Sequence, residues 1–291
     1  MFFFWALASM IGYAVQGTLL VHYARKIDPL SVSIYRTLSF SITLLPLLFF
    51  ATKTEIFGIL NFWPQILAAS FCGAVATWMY FESLKFLPVG IQSAITGSIR
   101  TLLVLGAGIF LFQEFLSVWE WVFIALVVGS ATYLSVRKNH FPHLDIRSGI
   151  GLFLCLATGI IGVGFTLFLT SVARDLSPFV AGYFWETLIG FLSLGMGLLR
   201  WMIFKKPIQK ISLPTFGRIA LVSWPTIIGT GGFAIAVTLG PVGIVSAIGT
   251  SSILMMTLLA HFLYQEKMTH VQWIALIVVA IGIAGLKMVG R

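Results

Sequence analysis

The octapeptide PVGIQSAI, Pro88 to Ile95, returns almost unchanged as PVGIVSAI, Pro241 to Ile248. Each copy runs through an apolar stretch into a second matched block, FLFQE at 110–114 and FLYQE at 262–266, and then to Trp121 or Trp273, with one gap residue between the copies. Compositional drift repeats residue types but not their order. Ordered identities at a nearly fixed offset therefore imply two structural copies of one unit. Any fold for this chain has to be buildable twice.

Composition decides where that unit lives. Of 291 residues 59% are hydrophobic and 9% charged, with a mean hydropathy of +1.02, which leaves too little polar surface to cover a soluble globule. Apolar runs near or above the ~18 residues of a membrane-spanning helix recur along the chain. The expected spans are 2–22, 30–51, 61–81, 88–112, 117–136, 148–170, 178–204, 214–237, 241–264 and 271–289. Pro29, Pro88, Pro178, Pro214 and Pro241 stand at or just before span starts, where proline sacrifices no helical hydrogen bond. Pro46, Pro64 and Pro225 fall inside spans or near their ends and mark expected kinks.

The polar stretch 137–147 (RKNHFPHLDIR) divides the chain into a first repeat, 1–136, and a second, 148–291, with five spans in each. A unit with an odd number of crossings hands its successor to the opposite side of the bilayer, so the halves are expected to be inverted about an axis in the membrane plane. The fold class is thus all-α integral membrane, ten transmembrane helices in two inverted five-helix repeats. Two inverted halves can rock about a shared central site, so alternating access is the expected way of working.

Most Lys and Arg residues, among them Lys26, Lys85, Arg137, Lys138, Arg200, Lys205 and Lys206, fall in the odd-numbered loops. The positive-inside rule then places both termini outside the cytoplasm. The net charge of +9 is spread over these short loops, which suits lipid headgroups and not nucleic acid. The opening MFFFWALASM lacks the basic n-region and long h-region of a cleaved leader. Cys72 and Cys155 lie in separate apolar spans without a CxxC, so neither a disulfide framework nor a metal site is expected, and no cofactor motif occurs.

A duplicated ten-span chain of this kind, with an aromatic-rich third helix, a proline-initiated fourth and a glutamate closing the fourth, resembles the EamA branch of the drug/metabolite transporter superfamily. The likeness is carried by Tyr80 to Pro88, Arg36, Trp185, Glu114 and Glu266. It implies a secondary carrier in a cell membrane, the inner (plasma) membrane if the cell is bacterial. Relatives of this kind export amino acids and other small metabolites, and some carry nucleotide-linked compounds or sugar phosphates. The resemblance also implies cytoplasmic termini, opposite to the charge count. Ser83, where such proteins often have Ala, and the absence of a short basic tail before the first span are departures.

Ionisable groups deep in a span cost something like 2.5–3.5 kcal/mol on insertion scales and mark functional interiors. Arg100 is the deepest, and Arg36 and Glu186 lie about two turns into their spans. Arg100 shares a helical face with Gln92 and Thr96, and Tyr183 stands on the face of Glu186. Polar edges on the first span (Ser9, Tyr13, Gln16), the sixth (Thr158, Gly162, Thr166) and the ninth (Ser246, Thr250) are expected to converge on the same cavity. Trp78 and Trp185 would add flat aromatic lining.

Matching Thr37-Leu38 to Thr187-Leu188 superimposes Arg36 on Glu186, a reversal of sign between the halves. Arg100, with or without Arg36, would then receive a carboxylate or phosphate, and Glu186 an ammonium or a coupling proton. The competing structural reading pairs Arg36 and Glu186 with each other or with Arg100 as a helix lock. The expected substrate is an amino acid or related zwitterion; the alternative is an anionic nucleotide- or phosphate-bearing metabolite. Glu82 and Lys85 are expected to pair at the interface, Glu114 and Glu266 to tether their loops, and GTGG at 229–232 to permit close helix approach. An intramembrane enzyme built on Ser251 or Ser252 with His261 is the rival function, as is a channel or scaffold.

Overall fold

The computed structural model describes residues 1–24, 26–87, 89–138, 146–264, 268 and 270–289. These residues form thirteen α-helices and no strand: α1 Phe2–Ala24, α2 Pro29–Thr43, α3 Lys53–Gly58, α4 Trp63–Ser83, α5 Val89–Phe112, α6 Val118–Lys138, α7 Ile146–Asp175, α8 Pro178–Phe204, α9 Leu213–Ser223, α10 Thr226–Leu239, α11 Val242–Thr250, α12 Ser252–Tyr264 and α13 His270–Val289. Nine segments are long and apolar enough to cross a bilayer, and α6 adds a tenth with the shorter apolar stretch Val118–Ser130.

Three pairs of helices share a span. A short 3-10 helix, Ile59–Phe62, joins α3 to α4, so the third span begins at Lys53, earlier than the sequence suggested. The reason is local: Thr52 and Glu55 form a reciprocal capping box that starts a helix there. Pro225 separates α9 from α10, and Ser251 separates α11 from α12. Pro46 lies in a tighter 3-10 segment, Leu45–Phe50, that finishes the second span. Ser117 and Glu120 cap α6 in the same reciprocal way, with Ser117 N to Glu120 Oε2 at 2.6 Å.

The packing obeys the repeat. α1 lies along α10 in the second half, and its counterpart α7 lies along α4 in the first; α2 packs on α8, α5 on α11 and α6 on α13, each pair being repeat equivalents. Thr250 Oγ1 donates to the carbonyl of Gly97 at 3.4 Å across 153 residues, the separation of the two PVGI copies, so the local twofold axis passes between α5 and α11.

Close approach depends on glycine at the α1–α10 crossing. A Cβ on Gly12 would lie 2.6 Å from the Gly229 nitrogen and 2.7 Å from the Pro225 oxygen. Ser9 Oγ donates to the Gly229 carbonyl at 2.7 Å over the same contact, so the GTGG stretch does bring helices together. Large apolar side chains cover the outside, including Phe4, Leu102, Phe110, Phe153 and Ile277, while exposed Trp119, Trp121, Trp201 and Trp273 stand near helix ends. The chain is an integral, multi-pass membrane protein.

Candidate functional site

Helical phase brings polar edges from both halves to one central cavity of about 290 Å³. From α1 come Ser9, Tyr13 and Gln16; from α5, Thr96 and Arg100; from α7, Thr158, Gly162 and Thr166; from α11, Ser246 and Thr250. Arg36 of α2 and Trp185 and Glu186 of α8 complete the polar wall. The sets from α1, α5, α7 and α11 are spaced three or four residues apart, each one stripe of a helix surface.

The three charges stay apart. Among the described residues ion pairs join Lys85 to Glu82, Arg174 to Glu114 and Arg200 to Asp28, and none involves Arg36, Arg100 or Glu186. Arg36 donates to Gln16 Oε1 at 3.3 Å and lies over the Phe40 ring at 4.9 Å, while its Nε is buried without a partner. The Arg36–Glu186 helix lock is therefore absent. Arg100 makes no hydrogen bond or ion pair to a described residue; its guanidinium lies 5.7 Å from the Phe165 ring centre. Phe165 in turn stacks on Trp185 at 5.2 Å and 21°. Gly162 makes room for this column, since a Cβ there would lie 3.1 Å from Arg100 Cδ.

Glu186 is only 3% exposed and accepts from Thr230 Oγ1 at 2.8 Å. Thr230 has one hydroxyl hydrogen and donates it to Glu186, so the 2.9 Å contact from Tyr13 to Thr230 runs with the tyrosine as donor. Tyr13 and Thr230 thus hold one edge of the carboxylate and leave acceptor capacity on the other. The threonine hydroxyls are largely spent on backbone: Thr96 on Cys155 O at 3.3 Å, Thr158 on Leu154 O at 2.7 Å and Thr166 on Gly162 O at 2.9 Å. Thr101 reaches Thr250 Oγ1 at 2.7 Å beside the local axis.

Three expected lining residues are elsewhere. Gln92 is fully buried beside the cavity, not in it. Trp78 lies one helical step off the stripe Gly73, Ala76, Thr77, Tyr80, Phe81 and Leu84 that α4 presents to the cavity. Tyr183 packs against Phe40, Leu44 and Leu47 and donates to the Ser41 carbonyl at 3.2 Å, drawn there by the 3-10 end of the second span. Thr77, Phe165, Phe233 and Met256 line the cavity without having been singled out in the sequence; only Thr77 carries a polar signal.

His261 does not line the cavity; its ring lies 6.1 Å from that of Trp273. No group of three or more metal-ligating side chains occurs among the described residues. Lys85 Nζ meets Glu82 Oε1 at 2.7 Å, the interfacial pair the sequence suggested. Glu266, with its expected tether, lies outside the described residues.

A doubled, inverted bundle of membrane helices around a small cavity walled by polar and charged side chains is the build of a membrane transporter. The chain belongs to the EamA-like transporter family, whose model matches residues 1–136 and again 149–288. Members of this family are membrane transporters of small molecules, and not enzymes. A solved crystal structure superimposes with a TM-score of 0.75 over 98% of this chain and 97% of the other, at 15% identity, a likeness of fold. No curated protein matches the chain by sequence.

Proposed function

We propose that the chain is a secondary carrier of an amino acid or related zwitterion, working by alternating access as the repeats 1–136 and 148–291, joined by the linker 137–147, rock about the central cavity. The observation that carries this is the set of charges left unpaired around one small cavity: Arg36 and Arg100 on one side of the chemistry, Glu186 on the other. An unpaired guanidinium in a low-dielectric interior is costly unless a ligand completes it, and a carboxylate or phosphate does so with two charge-assisted hydrogen bonds. Glu186 receives the ammonium, or a coupling proton, with Trp185 and Tyr13 shaping the space between.

The volume supports a small substrate. At about 290 Å³ the cavity sits at the low end of ligand sites. Its surplus of cation over anion supports a second reading, a small phosphate-bearing anion. Thermal-shift measurements on purified protein separate the two: stabilisation by neutral amino acids and not by sugar phosphates supports the zwitterion, and the reverse supports the anion. Counterflow of the binder in proteoliposomes then tests the carrier; flux without saturation or trans-stimulation would mean a channel.

A further inference from the structure

Beyond the cavity, towards the face that carries both chain ends, an arginine ties the two repeats together. Arg174, in the last turn of α7, donates from Nε to the Val237 carbonyl at 2.8 Å and from Nη2 to Glu114 Oε1 at 2.7 Å and the Gly240 carbonyl at 3.1 Å. Its guanidinium also lies 4.6 Å from the centre of the Phe112 ring. Glu114 Oε1 accepts in addition from the backbone nitrogen of Val242, the first residue of α11, at 3.0 Å.

The knot draws on both repeats. Glu114 and Phe112 come from the first repeat, between α5 and α6, while Arg174, Val237, Gly240 and Val242 come from the second. The loop is built for the purpose. Gln113 adopts a left-handed backbone (φ 53°) that turns Glu114 back, its nitrogen bonding to Gly108 O at 3.1 Å. Gly108 itself leaves space that a Cβ, 2.8 Å from Glu114 Oε2, would take. Arg174 stands two turns, about 12 Å, beyond the cavity residue Thr166 on the same helix. Ser246 lies one turn inside α11 from Val242. The knot lies beyond the cavity on the side of the terminal face.

We propose that the Arg174–Glu114 pair is the gate of the terminal face: intact in this state, and broken in each turnover when that face opens. The proposal rests on the carrier reading, in which inter-repeat contacts at a face have to part when the repeats rock. The sequence repeats both members: ARKIDP at 24–29 matches ARDLSP at 173–178, setting Arg25 against Arg174 as FLYQE sets Glu266 against Glu114. Arg25 and Glu266 lie outside the described residues.

The test uses Thr170, fully buried on α7 between Thr166 and the knot. In full-length protein with Cys72→Ser and Cys155→Ala, Thr170→Cys is labelled in proteoliposomes by a charged, membrane-impermeant thiol reagent applied to the terminal face. Arg174→Gln is expected to raise the labelling rate about tenfold or more, and Glu114→Gln, which keeps the hydrogen-bond geometry but loses the charge, by less. Should Arg174→Gln not fold, Glu114→Gln decides alone. Rates unchanged within twofold in a folded Glu114→Gln protein would overturn the gate and leave a static brace. Labelling needs no substrate, so the two readings are told apart: unchanged labelling with saturable counterflow sinks the gate and leaves the carrier, and raised labelling without any counterflow sinks the carrier and with it the gate's part in turnover.

Discussion

The two halves repeat in outline and differ in charge. Helix partners, proline starts and the PVGI blocks correspond, down to Gly97 meeting its equivalent Thr250. Where the first half has Arg36, however, the second has Glu186; where it has Arg100, the PVGI register gives Ile253; Gln92 faces Val245 and Asp28 faces Ser177. Arg36, Glu186, Arg100 and Ile253 all line the cavity. Duplicated packing supplies the frame, and the broken symmetry of charge gives the cavity a polarity. The comparison can be attacked directly by making the first half read like the second.

The largest effect is expected from Arg100→Ile. An isoleucine is already accommodated at the equivalent place, so folded yield and detergent melting temperature should hold. The substrate anion loses its unpaired partner. Truncating one member of a buried charge-assisted pair costs about 2–5 kcal/mol, so binding measured by thermal shift or calorimetry should fall by roughly 30-fold or more. Unchanged affinity would place the ligand elsewhere. Glu186→Gln comes next, with affinity for zwitterions reduced by roughly tenfold while anions lacking an ammonium bind no worse. Equal losses for both would remove Glu186 from ammonium recognition.

How much of this could be read in advance follows from the range of the physics. Helical phase is local, so Ser9, Tyr13 and Gln16, or Thr158, Gly162 and Thr166, announce a common face by spacing alone, and the structure brings both faces to the cavity. Trp78 and Thr77 differ by one helical step, and nothing in the sequence says which of them the packing of α4 on α7 turns inward. Phe165 is one phenylalanine among 26, its role set by Arg100 and Trp185 on other helices. Nothing local marks Arg174, because its partners are distant in sequence: Glu114 and Gly240 in two loops, and the Val237 carbonyl in the last turn of α10. Tyr183 had the right phase but the wrong depth.

A smaller effect separates the helix starts. Asp28 caps α2, accepting from Ser31 N at 3.0 Å, and takes a fork from Arg200, Nη1 to Oδ1 at 3.0 Å and Nη2 to Oδ2 at 2.8 Å. Its counterpart Ser177 makes no side-chain cap. Burial raises the Asp28 pKa, but the bonds from Arg200 and Ser31 outweigh it and hold the carboxyl below its ordinary value. A depressed carboxylate pKa contributes stability above the unfolded value and loses it as pH falls through the folded one. Asp28→Ser should therefore cost about 1 kcal/mol at pH 7, roughly 2–4 °C in melting temperature. The gap between variant and parent should begin to narrow as pH falls below the unfolded carboxylate value of about 4 and close only once pH passes below the parent's lower folded value. A gap that persisted in acid would assign the loss to packing.

The smallest effect is expected from Gln92→Val, which also imposes the second half on the first, and it sharpens the comparison because here the asymmetry is outside the cavity. Gln92 is fully buried; its Oε1 accepts from Ser93 at 3.0 Å and its Nε2 has no partner. An unsatisfied buried amide costs about 1–3 kcal/mol, so its removal offsets much of what the smaller valine loses in packing. The net change in stability should stay within about 1 kcal/mol, and substrate affinity should not move. Strong loss of binding with normal folding would bring Gln92 into the site after all, and with it a transport state in which α5 turns that face towards the ligand.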